Sequence, residues 1–246
     1  MTEDKKQQLV EQEEIKDSQE NDLEMMKKAG LQFGHKKTYN HPQAGYFTVK
    51  SSTELSLIDL DETKKGLESA LNFIKEIIKE KGTILFVGAV GGAKEGVKDL
   101  CQKYDLPYVT NRWLGGTLTN FQTLSERIKY LEELENKKKT GDWGKYTKQE
   151  QRKLEEEMDK LEEKFVGLKN MSRLPEALFI IDPKTHDTAL REAQKKGIPV
   201  ISILDTDDDP TEVNYPIPAN DSAKSSIGYI LNKVDQVLEQ TINNKE

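Results

Sequence analysis

The residues best suited to binding chemistry lie between Pro107 and Asn120. Arg112 and Trp113 stand side by side, Gly115 and Gly116 follow, and Thr119 and Asn120 close the run. A guanidinium group pairs with phosphate in a two-pronged fork, and an aromatic ring stacks on a base. Glycines permit backbone dihedrals and close approaches that side chains forbid. The same residues also suit a plainer arrangement, a tryptophan packed under its own loop with Arg112 in a local ion pair. Thr119 and Gln122 have capping-box spacing, so a helix is expected to begin there.

A second basic stretch precedes that one. Gly34-His35-Lys36-Lys37 reads as a loop carrying cations, with Tyr39 and His41 nearby. Basic and aromatic residues interleaved on a loop suit RNA backbone and base contacts, and a solvated loop accounts for them equally well. His35 and His41 could ligate a metal, yet no cysteine or carboxylate close in sequence completes a ligand set, and no metal is expected.

Gly88-Ala-Val-Gly-Gly-Ala-Lys94 follows a strand and opens a helix, the place for a phosphate-binding loop. It matches neither phosphate fingerprint, and Glu95 stands where Ser or Thr would bind magnesium. A tight turn is the better reading; a phosphate-ligand-binding domain or enzyme using this loop is the alternative function. Asp182, Asp205, Asp207, Asp208 and Asp209 could gather around a divalent cation. Turn capping and hydrogen bonds to the segment Tyr215–Asn220 are the expected roles of these residues. No G-x-S-x-G elbow and no histidine-plus-cysteine arrangement is present, so neither an activity nor a cofactor is expected.

The elements that must position these residues alternate. Leu55–Leu60 reads as a strand, then Asp61 caps a helix with Leu67, Leu71, Ile74 and Ile78 on one face, ended by Gly82. Thr83–Val87 is apolar throughout, as in a strand covered on both faces. Val97, Leu100, Cys101 and Tyr104 mark the next helix, and Tyr108-Val109 the next strand. Leu124, Ile128, Leu131 and Leu134, then Leu154, Met158, Leu161 and Phe165, repeat at threes and fours around a charged turn at Lys137–Lys145. They predict two antiparallel helices zipped along one seam, each about 27 Å long. Ala177–Ile181 and Pro199–Leu204 are buried strands around a helix from Thr185 to Lys196. Tyr215–Pro218 is extended, and Asn220 or Asp221 caps a last helix carrying Ile227, Ile230, Leu231, Val234, Leu238 and Ile242. Apolar strands joined by helices imply a mostly parallel sheet with helices on both faces. Gly88–Gly92, Thr110–Gly116, Asp182 and Asp205–Asp209 should then line one rim, at the carboxyl ends of the strands.

Composition limits the partners. The net charge of −7 over 246 residues argues against a protein that holds nucleic acid by bulk attraction. Its distribution softens that objection: residues 1–24 hold nine acids against three lysines, a net −6 that leaves −1 for the rest. Those residues lack an apolar stripe and read as an acidic tail or frayed helix; Met25, Met26 and Ala29 then form a helical turn stopped at Gly30. The single cysteine, Cys101, cannot form an internal disulfide, which fits the cytoplasm. No apolar run approaches a bilayer span, and the acidic start resembles neither a signal nor a transit peptide, so no membrane is expected as a partner.

Several runs together resemble the family of the second ribosomal protein of the bacterial small subunit. They are Ala29–His35, Ile84–Gly88, Asn111-Arg-Trp-Leu-Gly-Gly-Thr-Leu-Thr-Asn120, Leu174-Pro175 and Gly197–Val200. Asp205-Thr206 with Asp209-Pro210, and Ile217-Pro218 with Asn220-Asp221, complete the set. The similarity runs in order from about Met25 to Val237, and the Asn111–Asn120 run is highly specific. It implies a flavodoxin-like three-layer α/β/α sandwich with a parallel sheet and an inserted antiparallel coiled-coil hairpin. The implied units are an acidic tail, 1–24, an α/β body, 25–120 with 169–246, and the hairpin, 121–168. It further implies a structural constituent of the small subunit that touches ribosomal RNA and other small-subunit proteins, and helps dock the large first protein of that subunit. His35, Lys36, Lys37, Arg112, Trp113, Gly115, Gly116, Thr119 and Asn120 are the implied RNA-binding residues, with Lys36 and Arg112 on phosphate and Trp113 positioning the loop. The chain departs from the pattern in its longer acidic start, its shortened stretch after His41, Asp207 in place of the usual Asn, and one glycine, Gly167, where two are common.

Overall fold

The computed structural model describes residues 21–243, so most of the acidic start lies outside the described residues. Its centre is a five-stranded parallel sheet. The strands are β4 (Ile84–Val87), β5 (Tyr108–Val109), β6 (Ala177–Ile181), β7 (Val200–Leu204) and β8 (Tyr215–Pro218), ordered β5-β4-β6-β7-β8. Counted along the chain this is 2-1-3-4-5, the flavodoxin-like order, with its reversal between β4 and β6. The sequence expectation of that fold therefore holds. β8 contains Pro216 and Pro218 and lies at the sheet edge, where a missing amide donor breaks no ladder.

Alternation along each strand divides the core in two. Ile84, Phe86, Phe179, Ile181, Ile201, Ile203 and Ile217 face one side, packed against α2 (Leu60–Lys79), α3 (Lys94–Tyr104) and α7 (Lys224–Asn243). Leu85, Val87, Val109, Leu178, Ile180, Val200 and Leu204 face the other, packed against α6 (Asp187–Lys196) and the hairpin helices. Phe86 and Phe179 are fully buried and stack with centroids 5.1 Å apart. Each such side chain contributes about 1.5–3 kcal/mol by leaving water.

The hairpin helices are α4 (Phe121–Lys139) and α5 (Lys148–Phe165). Leu124, Ile128, Leu131, Leu134, Met158 and Phe165 are buried in one cluster, and Lys138 pairs with Glu155 across the seam at 3.0 Å. Trp143 closes the far end: it is buried in the turn, with the Lys138 ammonium 5.3 Å from its ring. At the near end Gly167 lies against β5. A Cβ there would stand 2.2 Å from the Tyr108 carbonyl oxygen, so only glycine fits.

Four local expectations are corrected, and that of a tail or frayed helix over residues 1–24 is narrowed at its end. β1 (Phe33–Lys36) is a strand, so His35 and Lys36 do not sit on a loop. It joins β3 (Leu55–Ile58) and β2 (Thr48–Val49) in a separate antiparallel sheet, ordered β1-β3-β2; the Leu55 strand therefore lies outside the parallel sheet. α2 starts one turn edge earlier than expected, because the Asp59 carboxylate accepts the Asp61 amide at 3.0 Å and caps it. It ends at Lys79, and Lys81 rather than Gly82 takes the left-handed backbone, φ 59°. Helix α1 occupies residues 21–29, so 21–24 are helical: Asp22 pairs with Lys233 at 3.0 Å and Leu23 packs on the core. Gly30, at φ 81°, stops it as expected.

Candidate nucleic-acid interface

The loop from Thr110 to Asn120 runs from the carboxyl end of β5 to the start of α4, and one residue organises it. Glu192, on α6, is 8% exposed. Its Oε1 accepts the Trp113 indole N–H at 3.2 Å and the Gly116 amide at 2.7 Å. Its Oε2 accepts the Leu118 and Thr119 amides and the Thr119 hydroxyl, each at 3.0 Å. Burial alone would raise the Glu192 carboxyl. The converging amides of Thr119, Gly116 and Leu118, with the indole, outweigh it and hold it below the usual range. A buried carboxylate accepting several charge-assisted hydrogen bonds is a strong anchor.

That anchor decides what each predicted residue does. Trp113 is buried at 8% exposure and serves the loop, so its ring is not open for a base. The Thr119 hydroxyl goes to Glu192, so the expected capping box is not formed; Asn120 holds the N-cap position and accepts from the Thr123 hydroxyl at 3.0 Å. Gly116, at φ 93°, bends the chain so that its amide meets Glu192. Gly115 is exposed, with open space around it. Arg112 is exposed and, among the described residues, makes no ion pair or hydrogen bond, contrary to the local ion pair the sequence also allowed.

His35, Lys36 and Lys37 stand elsewhere on the molecule, on and after β1. No contact links them to Arg112, so the structure shows two separate basic places. Lys36 is exposed and unpaired among the described residues, while the Lys37 ammonium donates to the Ser51 carbonyl. Gly34 lets β1 approach the loop after β7 closely: a Cβ there would be 2.6 Å from the Thr206 methyl. The His35 amide then donates to the Thr206 hydroxyl at 3.1 Å.

The strand-end acids collect beside His35. His35 Nδ1 lies 3.0 Å from an Asp205 oxygen and 3.1 Å from an Asp207 oxygen. One nitrogen and two carboxylates, their donor atoms within 4.8 Å of one another, form a set able to hold a divalent cation. Sequence proximity had denied His35 such partners; folding supplies them from residues 170 positions away. The remaining acids cap turns as expected. The Asp208 carboxylate accepts the Asp205 amide at 2.8 Å, Asp209 accepts the Thr211 amide at 2.9 Å, and Asp182 accepts the Thr185 amide at 2.8 Å. The expected bonds from these acids to Tyr215–Asn220 are not among those seen; Asn220 instead donates to the Phe33 carbonyl at 2.6 Å. Burial, reinforced by Asp207, Asp182 and Asp205, pushes Asp208 up to about 7 although the Asp205 amide opposes it. Asp221, also buried, is pushed up to about 9 by the loss of water and by Asp182, Asp205 and Asp208.

Four amides of the Gly88–Lys94 loop are engaged within the protein. The Gly88 amide goes to the Val109 carbonyl, Ala89 to His186 Nε2 at 3.1 Å, and Ala93 and Lys94 to the Val90 carbonyl. Gly92 packs on the Ser222 carbonyl, 2.8 Å from where a Cβ would be. The tight turn is the arrangement found.

The structure is thus a flavodoxin-like body bearing a helical hairpin, with an anchored loop at the hairpin's root that presents a cation. The family described as ribosomal protein S2 matches residues 25–241, and the chain belongs to it. It is 39% identical over 218 residues to the small ribosomal subunit protein uS2 of Chloroflexus aggregans (strain MD-66 / DSM 9485), covering 89% of this chain and 92% of that one. It is 41% identical over 215 residues to the protein of the same name from Aeromonas salmonicida (strain A449), covering 87% and 89%.

Proposed function

We propose that this protein is a structural constituent of the small ribosomal subunit that binds ribosomal RNA and neighbouring subunit proteins through local surface loops. The observation that carries the reading is the anchored loop. Glu192 fixes its backbone from inside, and Arg112 is left outside with its guanidinium unpaired. A preformed loop spends little ordering entropy when its cation meets a phosphate. Lys36 and Arg112 hold RNA phosphate; His35, Lys37, Gly115 and Asn120 lie beside them, and Trp113, Gly116 and Thr119 support the second loop. A protein neighbour has a surface of its own. Phe33, Tyr39, Tyr46, Val49 and Leu55 are between 42% and 65% exposed, and all belong to the small antiparallel sheet and its turns. A concentration of large exposed apolar groups marks a protein contact, and the docked large first protein of the subunit is one such neighbour. The pair of helices between residues 121 and 168 serves as an arm.

Sedimentation of lysate from cells carrying a tagged copy, at low magnesium, tests the reading. The tag should run stoichiometrically with the small subunit and survive a moderate salt wash. A tag found only at the top of the gradient would refute it.

A further inference from the structure

Two clefts adjoin at the root of the hairpin. One, of about 430 Å³, is lined by Asn111, Arg112, Trp113, Leu114, Gly115, Glu163 and Lys164. The other, of about 160 Å³, is lined by Leu114, Gly115, Gly116, Asn120, Arg127 and Phe165 among others. They share Leu114 and Gly115 and so border one another at the joint between body and hairpin, and together they are called the furrow. Its charged side chains are Arg112, Arg127 and Lys164 against Glu163. In a chain of net charge −7 this is a local excess of two positive charges.

Three observations say what the furrow takes. Arg112, Arg127 and Lys164 are all exposed, and none makes an ion pair or hydrogen bond among the described residues. Gly115, at the middle, has nothing within 4 Å of its missing side chain, so a backbone or sugar can come close. The floor is fixed on both sides: Glu192 holds Gly116, and Asn111 Nδ2 donates to the Glu163 carbonyl of α5 at 3.1 Å. Another large cleft, lined by Lys184, Asp187, Asp207, Asp208, Asp209 and Glu212 with Pro183, has the opposite sign and would repel the same ligand.

We infer that the furrow seats a stretch of RNA phosphodiester backbone, with Arg112 and Lys164 on one phosphate group and Arg127 on another across Gly115. This rests on the proposed ribosomal role and adds to it Arg127 and Lys164, two cations from the hairpin helices. Guanidinium forks suit phosphate oxygens, and the open glycine suits a ribose better than a bulky peptide side chain. Because the furrow spans the joint, the bound backbone also braces the hairpin against the body.

The test is binding of the full chain to small subunits depleted of this protein, measured against potassium chloride concentration. The double substitution R127Q with K164Q should lower the magnitude of the logarithmic salt slope by about 1.4–1.8, since each phosphate contact contributes roughly 0.7–0.9. A substitution pair on α6, R191Q with K195Q, should leave the slope unchanged, and far-ultraviolet dichroism should show all variants folded. An unchanged slope for the furrow variant, with normal binding by the unsubstituted chain, overturns this inference and leaves the ribosomal role standing. Weaker binding at an unchanged slope, which would mean that the two side chains act through something other than phosphate contacts, overturns it as well. Failure of the unsubstituted chain to bind depleted subunits defeats the ribosomal role itself.

Discussion

Glu192 does the most for its size. Five donors meet its two oxygens, and every one belongs to the loop that carries Arg112. Glu192→Gln replaces one acceptor by a donor facing other donors, and should cost about 2–4 kcal/mol at pH 7 in chemical denaturation. The carboxyl is held low in the folded state, so its contribution is fully present above its unfolded value near 4.3 and fades as pH falls through the folded value. The gap between the two proteins should therefore close toward pH 3; a constant gap would show that charge is not the cause. One sign of this residue is present in the sequence: Glu192 lies on the same α6 stripe as the buried Ala189 and Ala193, a place where a charge needs an internal partner. Arg112, Trp113 and the glycines were conspicuous by type, yet their division into inward and outward groups depends on that distant glutamate. His35 could not be matched with Asp205 and Asp207 beforehand, because only the folded sheet brings them together.

At the scale of elements, the hairpin was readable and the N-terminal sheet was not. Leucines at threes and fours along α4 and α5 give a long, regular signal, and the buried seam follows it. β1 and β2 span four and two residues, Gly34 interrupts the first, and no alternation that short separates strand from loop. β8, with two prolines, declares an extended edge but not its partner. Gly167 bears on how the hairpin meets the body. Gly167→Ala would drive a methyl into the Tyr108 carbonyl, and should cost about 1–3 kcal/mol. Gly144→Ala, in the open turn at the other end, has nothing within 4 Å and should change stability by less than about 0.5 kcal/mol. Thermal melts of the two variants compare them directly; equal effects would mean the root of the hairpin yields freely.

For the whole molecule, the parallel sheet puts all its strand ends at one rim, and the rim collects buried acids. Asp221 keeps its proton more tightly folded than unfolded, so stability should fall as pH climbs from about 4 toward 9. Asp221→Asn, which keeps an acceptor for the Ser222 hydroxyl, should flatten that fall and be more stable than the unsubstituted chain by on the order of 2 kcal/mol at pH 8. Denaturation midpoints at pH 5 and pH 8 decide it; parallel curves would dispose of the idea. The doubly wound architecture was legible because its apolar strands and intervening helices alternate strongly. The separation of the rim into distinct places was not, since strand order, unlike strand identity, leaves no local trace.

The cleft of opposite sign has a kinetic consequence. The loop after β5 and the loop after β7 are three strand spacings apart, about 14 Å, one bordering cations and the other surrounded by carboxylates. A body so polarised feels a torque in the field of a polyanion before any atoms touch. On the proposed RNA-binding role, it would arrive already turned, hairpin root forward and acidic edge trailing. In such an encounter the direction of its dipole would matter more than its net charge of −7, selecting productive encounters from the many that diffusion supplies.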